Sequence, residues 1–266
     1  MDRSDSVRVR LLRHARNDIR IMTYPLRFLP PLAALALLAA CNPAPKQPAA
    51  APPTLPGPDI ATLTDSTAPA ALLAYGRQYP GSEVLFETRL GKIRVKLYDD
   101  TPIHKANFLL LARRGVFDET VFNRVIKGFA VQGGQTSESR TIVLRRYRLP
   151  LEVRPNHFHF KGALGMARYD DEENPQRLSS NTDFYFTLGK RLTAAQAQAA
   201  ASRPLTPAQI GVYATQGGVP ALDGFYTVFG EVIEGLDVVE KISQVPVNPN
   251  DKWPDHDVGM KVTVVK

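Results

Sequence analysis

Cysteine is almost missing from this chain, which has one in 266 residues. A single thiol cannot form an internal disulfide, so a disulfide framework is excluded. The length makes such staples unnecessary, because a chain of this size can bury a sizeable core in one or two domains. The fold must therefore be held together by packing and hydrogen bonds.

A strong excess of basic residues is also missing from most of the chain. The formal net charge is +7, but residues 1–41 carry seven arginines against three aspartates, which leaves +3 for everything after them. That balance lacks the basic footprint of a nucleic-acid-binding protein. No nucleic acid partner is predicted, and a basic N-terminal arm that binds nucleic acid is the open alternative.

Clusters of metal-ligating side chains are scarce. His104 has no second ligand at zinc spacing and is predicted to be solvated on the polar side of a helix. His157 and His159 alternate with Phe158 and Phe160, so they are predicted to project together from a strand, but no cysteine or nearby carboxylate completes a ligand set. No metal site and no cofactor are predicted.

The apolar run near the N-terminus is too short to span a bilayer, which takes about 20 residues. Phe28–Ala40 has thirteen residues, follows Arg27 and ends in small side chains. This arrangement is typical of targeting signals. We therefore predict a signal peptide over residues 1–41, and Met22 is a second candidate for the start.

The end of this run suggests a lipid anchor. Leu38–Cys41 reads LAAC and resembles the lipobox of bacterial lipoprotein signal peptides, in which the cysteine becomes the lipidated first residue. The alternative is that Cys41 is an ordinary small residue at the end of a buried segment. Asn42 in place of aspartate resembles the outer-membrane sorting pattern. The predicted location is the bacterial cell envelope, anchored at the outer membrane and facing the periplasm.

Residues 42–82 are predicted to form a tether and a weakly ordered lead-in. Asn42–Asp59 is dominated by proline and alanine, a composition that cannot bury a core and favours extended chain. Further on, Pro69 could open a turn or two of helix that ends at Gly76. Weak order is expected over residues 60–79.

Strand patterns begin at Val84. VLFETRL and KIRVKLY flank Gly91 and predict a hairpin. A helix is predicted to open at Thr101-Pro102 and to end at Gly115. A second helix is predicted over Leu236–Ile242. Many short strands with two helices and no βαβ alternation indicate a mostly β protein with a closed antiparallel barrel.

An alanine-rich, helix-favouring segment at about residues 188–220 is predicted to form one or two short helices. This segment could tune the rim of a neighbouring pocket or be a surface decoration. Residues 135–159 are rich in arginine, which indicates a charged surface loop or a site for an acidic partner.

The stretch Val121–Gly134, reading VFNRVIKGFAVQGG, sets an arginine among apolar side chains. Period-two alternation places Arg124 on the same side as Phe122 and Ile126. A charge on an apolar face is costly unless it has partners or lines a cleft. From this segment alone two interpretations stay open: a cleft lined by Arg124, or a surface strand whose arginine reaches water along its methylenes.

Five motifs in order resolve this choice. They are ANFLLLARRGVFDETVF from Ala106, FNRVIKGFAVQGG from Phe122, KGALGMAR from Lys161, SSNTDFYFTLG from Ser179 and ALDGFYTVFGEVIEGLDVVEKI from Ala221. Together they resemble the cyclophilin family of peptidyl-prolyl cis-trans isomerases over roughly residues 84–266. The resemblance implies a cyclophilin-like domain at 83–266, with a closed antiparallel eight-stranded barrel, two flanking helices and a short helical insertion.

The resemblance also assigns roles to residues. Arg124 would be the catalytic residue, and Gln132 would fix its guanidinium. The other substrate-binding positions would be Phe129, Ala130, Ala167, Asp183, Phe184, Leu222 and Tyr226. The implied reaction is rotation about an Xaa-Pro bond, whose barrier of about 20 kcal/mol comes from amide resonance. This reaction needs no covalent step.

Three positions depart from the family pattern. Asp183 stands where a glutamine is usual, Ala221 where a tryptophan is usual and Tyr226 where a histidine is usual. The predicted function is isomerisation of Xaa-Pro bonds by a membrane-anchored monomer, acting on flexible or unfolded segments of envelope proteins. The alternatives are a tethered Pro-peptide-binding or chaperone module with little turnover, and an inert envelope lipoprotein, which would leave Arg124 unexplained.

Overall fold

The computed structural model describes residues 57–136 and 147–266. The predicted signal peptide, its lipobox with Cys41 and the first part of the predicted tether lie outside these ranges. So does part of the arginine-rich loop. Within the two ranges, every helix is too short or too polar to cross a membrane.

The described residues form ten strands and five α-helices. The strands are β1 (Glu83–Thr88), β2 (Gly91–Leu97), β3 (Thr120–Ile126), β4 (Ala130–Thr136), β5 (Arg148–Leu149), β6 (Ala163–Met166), β7 (Ser179–Ser180), β8 (Phe184–Thr187), β9 (Val228–Glu234) and β10 (Lys261–Val264). The helices are α1 (Ala68–Gln78), α2 (Pro102–Arg113), α3 (Ala194–Ala200), α4 (Pro207–Thr215) and α5 (Leu236–Ile242).

Eight of these strands form one antiparallel sheet in the order β10-β1-β2-β9-β6-β8-β4-β3. The sheet is an open half-barrel, so the prediction of a closed barrel is wrong. Residues just before β10 touch β3 through an isolated bridge between Val121 and Gly259 and through a hydrogen bond from the Phe122 N–H to the Val258 carbonyl (3.0 Å). The end strands β3 and β10 share no ladder, because β10 begins only after the chain has passed β3.

The predicted hairpin is confirmed and supplies one wall of the core. Val84 lies opposite Val95 and Phe86 opposite Ile93, and all four side chains are fully buried. They join a cluster of aromatic rings inside the sheet. Its rings are those of Phe86, Phe108, Phe117, Phe122, Phe184, Phe186 and Phe229.

Helix α2 begins at Pro102 and is followed by Gly115 at a φ of 67°, as predicted. His104, however, is fully buried and not solvated. The Glu152 carboxylate accepts hydrogen bonds from the His104 backbone N–H (2.9 Å) and from its Nδ1 (2.6 Å). Glu152 thus caps the helix from 48 residues away, a contact that local periodicity cannot reveal.

The weak order predicted for residues 60–79 is not what the structure shows, because helix α1 fills part of this segment. Leu72 and Tyr75 are buried in the main core, and the Arg113 guanidinium of α2 donates to the Tyr75 hydroxyl (3.1 Å). The helix continues through Gly76, where a Cβ would lie 3.0 Å from the Cβ of Ala106 on α2. Close packing of the two helices therefore keeps the glycine inside α1.

The predicted insertion contains two short helices, α3 and α4. Each begins with a capping box, formed by Thr193 with Gln196 and by Thr206 with Gln209. The two helices enclose a small apolar cluster of their own, to which Tyr213 contributes a fully buried side chain.

Candidate active site

The position of Arg124 is set by an irregularity in strand β3. Phe122 lies opposite Gly133 and Arg124 lies opposite Gln132, so Asn123 is an extra residue in the ladder. Such a bulge shifts the side-chain alternation by one position. Phe122 and Val125 consequently both enter the core, whereas Arg124 lies on the other face of the sheet.

The prediction that Arg124 shares a face with Phe122 is therefore wrong. Arg124 is half-buried. Burial lowers the pKa of its guanidinium, and the nearby Tyr226 and Asp170 act in the opposite direction. An arginine pKa starts so high that the group stays charged. A permanent cation thus lies beside an aromatic ring and an acidic side chain.

A row of side chains crosses the sheet from Arg124. Gln132 on β4 is opposite Arg124 on one side and opposite Tyr185 of β8 on the other. Tyr185 in turn lies opposite Gly165 of β6. With strands about 4.8 Å apart, Tyr185 lies two strands, or about 10 Å, from Arg124.

An apolar cup surrounds this row and is separate from the main core. We define the cup as Phe129, Ala130, Ala167, Tyr185, Val219, Leu222 and Tyr226. Ala130, Ala167, Tyr185 and Leu222 are buried, and the other three are half-buried at the rim. The structure thus brings together five of the predicted substrate-binding residues, with Gln132 adjoining them.

Phe184 does not belong to the cup. Its ring is fully buried in the main core, with centroids 5.5 Å from Phe86 and 5.6 Å from Phe108. Because side chains alternate along a strand, the cup receives the next residue, Tyr185. The sequence carried a signal for this in Phe184-Tyr185-Phe186, where a ring with a polar tip stands between two purely apolar ones.

Tyr185 leans across the neighbouring strand β6. A Cβ at Gly165 would lie 2.4 Å from the Tyr185 Cζ, so only glycine leaves room for the ring there. The Tyr226 ring stands nearly perpendicular to that of Tyr185, at 87° and 6.1 Å between centroids. The two tyrosines therefore form adjoining walls of the cup.

Asp183 adjoins the cup residue Ala167, and its carboxylate is bonded to Ser180. Its backbone carbonyl accepts from the Ala167 N–H (2.7 Å), and its Oδ2 accepts from the Ser180 hydroxyl (2.8 Å). The other oxygen, Oδ1, is buried without a hydrogen-bond partner among the described residues. Asp183 is thus near the site, with one acceptor unused.

The side chain of Arg168 places a second guanidinium at the edge of the cup, a position that was not predicted from the sequence. The Arg168 Cζ lies 4.6 Å from the centre of the Tyr226 ring, a cation–π arrangement. Arg168 also donates to the Phe225 carbonyl (3.1 Å) and to Asp171 (2.6 Å). Its position directly after Ala167 in the KGALGMAR motif was the available signal.

His157 and His159 do not project together. His157 stacks on Tyr98 with centroids 3.9 Å apart and bonds to Asp100 (2.6 Å). His159 is buried and lies between Asp223 and Tyr185. Among the described residues, no group of three His, Cys, Asp or Glu side chains could hold a metal ion.

Known proteins resemble this chain across its sheet and site. A family model described as "Cyclophilin type peptidyl-prolyl cis-trans isomerase/CLD" matches residues 83–265. A Staphylococcus saprophyticus protein with the provisional name peptidyl-prolyl cis-trans isomerase is 31% identical over 183 residues, which are 67% of this chain and 89% of that protein. The Rhizopus delemar "Peptidyl-prolyl cis-trans isomerase-like 2" is 29% identical over 179 residues, 65% of this chain, but the match spans only 27% of its length.

Solved structures share the fold. A cyclophilin type peptidyl-prolyl cis-trans isomerase of Cryptosporidium parvum has a TM-score of 0.52 at 21% identity, covering 70% of this chain and 98% of that one. The same protein in the presence of the dipeptide Ala-Pro gives a TM-score of 0.51 and covers 69% and 99% of the two chains. At this identity the likeness concerns the fold alone. Because the family model covers well over half of its residues, this chain belongs to the cyclophilin-type peptidyl-prolyl cis-trans isomerases.

Proposed function

We propose that this isomerase binds proline-containing segments in the apolar cup and rotates the Xaa-Pro bond beside Arg124. The observation that carries the proposal is the bulge in β3, which puts the Arg124 guanidinium on the face that also presents the cup. The C. parvum relative studied in the presence of Ala-Pro supports a proline ligand of this kind.

The chemistry follows from the electronic structure of the imide. Planarity depends on delocalisation of the nitrogen lone pair, and the barrier of about 20 kcal/mol is the loss of that resonance. In the twisted state the lone pair is localised on nitrogen and can accept a hydrogen bond. A guanidinium aimed at that nitrogen stabilises the twisted state more than either planar isomer, which is what lowers a barrier.

The cup supplies the binding part of the reaction. Apolar walls take the proline ring out of water, and Gln132 lies opposite Arg124, where it can fix the guanidinium. The half-burial of Arg124 strengthens its interaction with a bound imide, because less water screens the charge.

Arg124→Ala is expected to remove most of the isomerisation and to leave the fold intact, since the side chain lies outside the core. Magnetisation-exchange NMR on an Ala-Pro peptide measures this rate directly. The matched control is Arg94→Ala, which removes a partly exposed arginine from β2. Equal exchange rates for wild type and Arg124→Ala would contradict the proposal. A wild type that binds the peptide without accelerating exchange would instead favour the peptide-holding alternative.

We further propose that the protein acts as a monomer on flexible segments of envelope proteins. The proposed anchor is a lipid on Cys41, which follows the apolar run Phe28–Ala40. The Pro/Ala-rich residues after it would give the domain reach from the outer membrane into the periplasm.

A further inference from the structure

A chain of buried hydrogen bonds links the insertion to the cup. The Tyr213 hydroxyl of α4 donates to Asp223 Oδ2 (2.6 Å), and His159 Nδ1 lies 2.9 Å from Asp223 Oδ1. His159 Nε2 lies 2.8 Å from the Tyr185 hydroxyl. All four side chains are at most 4% exposed. Buried polar networks that are fully satisfied hold their members in one geometry.

The protons of this network have one consistent order. An ionised Asp223 only accepts, and it takes the Tyr213 O–H, the His159 backbone N–H (2.8 Å) and the His159 Nδ1–H. Nε2 then accepts from the Tyr185 hydroxyl, whose proton has no other acceptor among the hydrogen bonds of the described residues. Burial raises the pKa of Tyr185 and of Tyr213, which keeps both hydroxyls protonated.

The network ends on two walls of the cup. Tyr185 is itself a wall, and Asp223 directly follows Leu222, which is another. The polar end of the Tyr185 ring packs directly over Gly165, where a Cβ would lie 2.5 Å from its hydroxyl oxygen. This contact supports the ring from one side, and the hydrogen bond to His159 fixes the direction of its hydroxyl.

We propose that His159, Asp223 and Tyr213 are positioning residues, which hold the Tyr185 wall of the cup in place and thereby set affinity for the prolyl segment. The insertion at 188–220 then supports the cup through the hydrogen bond from Tyr213 to Asp223, and we call this support the brace. This inference rests on the proposed function, because it assumes that the cup is where the prolyl segment binds.

Tyr213→Phe tests the brace, because it removes one hydroxyl that lies three hydrogen bonds away from the Tyr185 hydroxyl. We expect affinity for an Ala-Pro peptide to fall about fivefold, the value of one hydrogen bond. The exchange rate at saturation should change by less than about twofold, since a wall acts on planar and twisted states alike. NMR titration gives the affinity, and magnetisation exchange gives the rate.

Tyr147→Phe is the matched control. Tyr147 is also fully buried, and its hydroxyl donates to Asn107 at the same 2.6 Å, but it belongs to the main core and not to the cup. The Tyr147→Phe variant should be less stable than the wild type but should bind the Ala-Pro peptide with unchanged affinity. If the wild type is active and the Tyr213→Phe and Tyr147→Phe variants bind the peptide equally well, the inference is overturned and the proposed function stands. A wild type without binding or exchange would overturn the proposed function.

A double-mutant cycle and a measurement on wild type complete the test. Tyr185→Phe and Tyr213→Phe interrupt the same chain, so the double variant should bind no more weakly than the weaker single variant. Additive losses would overturn the inference. In wild type, ¹⁵N shifts should show a proton on the Nδ1 of His159, where it faces Asp223. Protonation on Nε2 alone would overturn the proton order and with it the brace.

Discussion

At the scale of single residues, Asp183 has one carboxylate oxygen bonded to Ser180 and one without a partner. A glutamine at this position, as is usual in the family, could both donate and accept. The aspartate only accepts and is shorter by one methylene. It therefore offers no donor to a peptide carbonyl that reaches this side of the cup.

Asp183→Gln is expected to raise the isomerisation rate on a neutral Ala-Pro peptide several-fold. The gained donor should contribute about 1 kcal/mol, which corresponds to about fivefold in rate. Asp237→Asn is the matched control, because that aspartate is exposed on α5 and forms an ion pair with Lys241 along its own helix. Magnetisation exchange on both variants measures the difference.

The same substitution also tests a specificity role for Asp183. If its unused oxygen meets a basic substrate residue, Asp183→Gln should slow turnover selectively for peptides with lysine or arginine beside the proline. Unchanged rates on neutral and basic peptides would show that the Asp183 side chain does not face the substrate.

Tyr185 shows how a motif match can assign a pocket position to the neighbouring residue. The resemblance assigned Phe184 to the pocket, although the polar-tipped ring between two purely apolar ones favoured Tyr185. The sheet decides this, because Phe184 meets the core rings while Tyr185 lies over Gly165 on a neighbouring strand. Tyr185 and Gly165 are paired across strands that local sequence does not connect.

At the scale of elements, the bulge in β3 determines what the strand can do. Without the extra Asn123, Arg124 would lie on the side of Phe122 and at the edge of the core. The bulge moves Phe122 and Val125 inward together and leaves Arg124 with Gln132. Strict alternation assumes a regular ladder, so the sequence pattern predicted the wrong face.

Helix α1 is expected to be part of the folded domain and to stabilise it. Leu72→Ala should lower the free energy of unfolding by about 2–5 kcal/mol, because it leaves a cavity in the main core. Leu73→Ala, one residue along and only partly buried, is the control and should cost much less. Urea unfolding of both variants gives the two values. Similar small losses would mean that α1 does not contribute to the core.

At the scale of the whole molecule, the proposed lipid anchor makes a testable statement about location. Cys41→Ser should release the protein from membranes into the soluble envelope fraction, because serine cannot take the thioether-linked lipid. Fractionation followed by mass spectrometry of the mature chain checks this. Arg124→Ala is a suitable control, since it should abolish activity and leave the location unchanged. A Cys41→Ser protein that still sediments with membranes would contradict the anchor.

The sequence by itself determined the family, the hairpin at Gly91, the helices that begin at Pro102 and Leu236, and the catalytic candidate Arg124. These features depend on local periodicity, on capping residues and on motif order, all of which are written in neighbouring residues.

Only the tertiary structure decided the open form of the sheet, the face of Arg124 and the place of Tyr185 in the cup. It also decided the partners of the two buried histidines, since Glu152 is 48 residues from His104 and Asp223 is 64 residues from His159. Such contacts depend on which strands pair and where a ladder shifts register, and no local pattern encodes either. The same long-range packing connects the predicted insertion to the cup, since Tyr213 of α4 donates to Asp223, which directly follows Leu222.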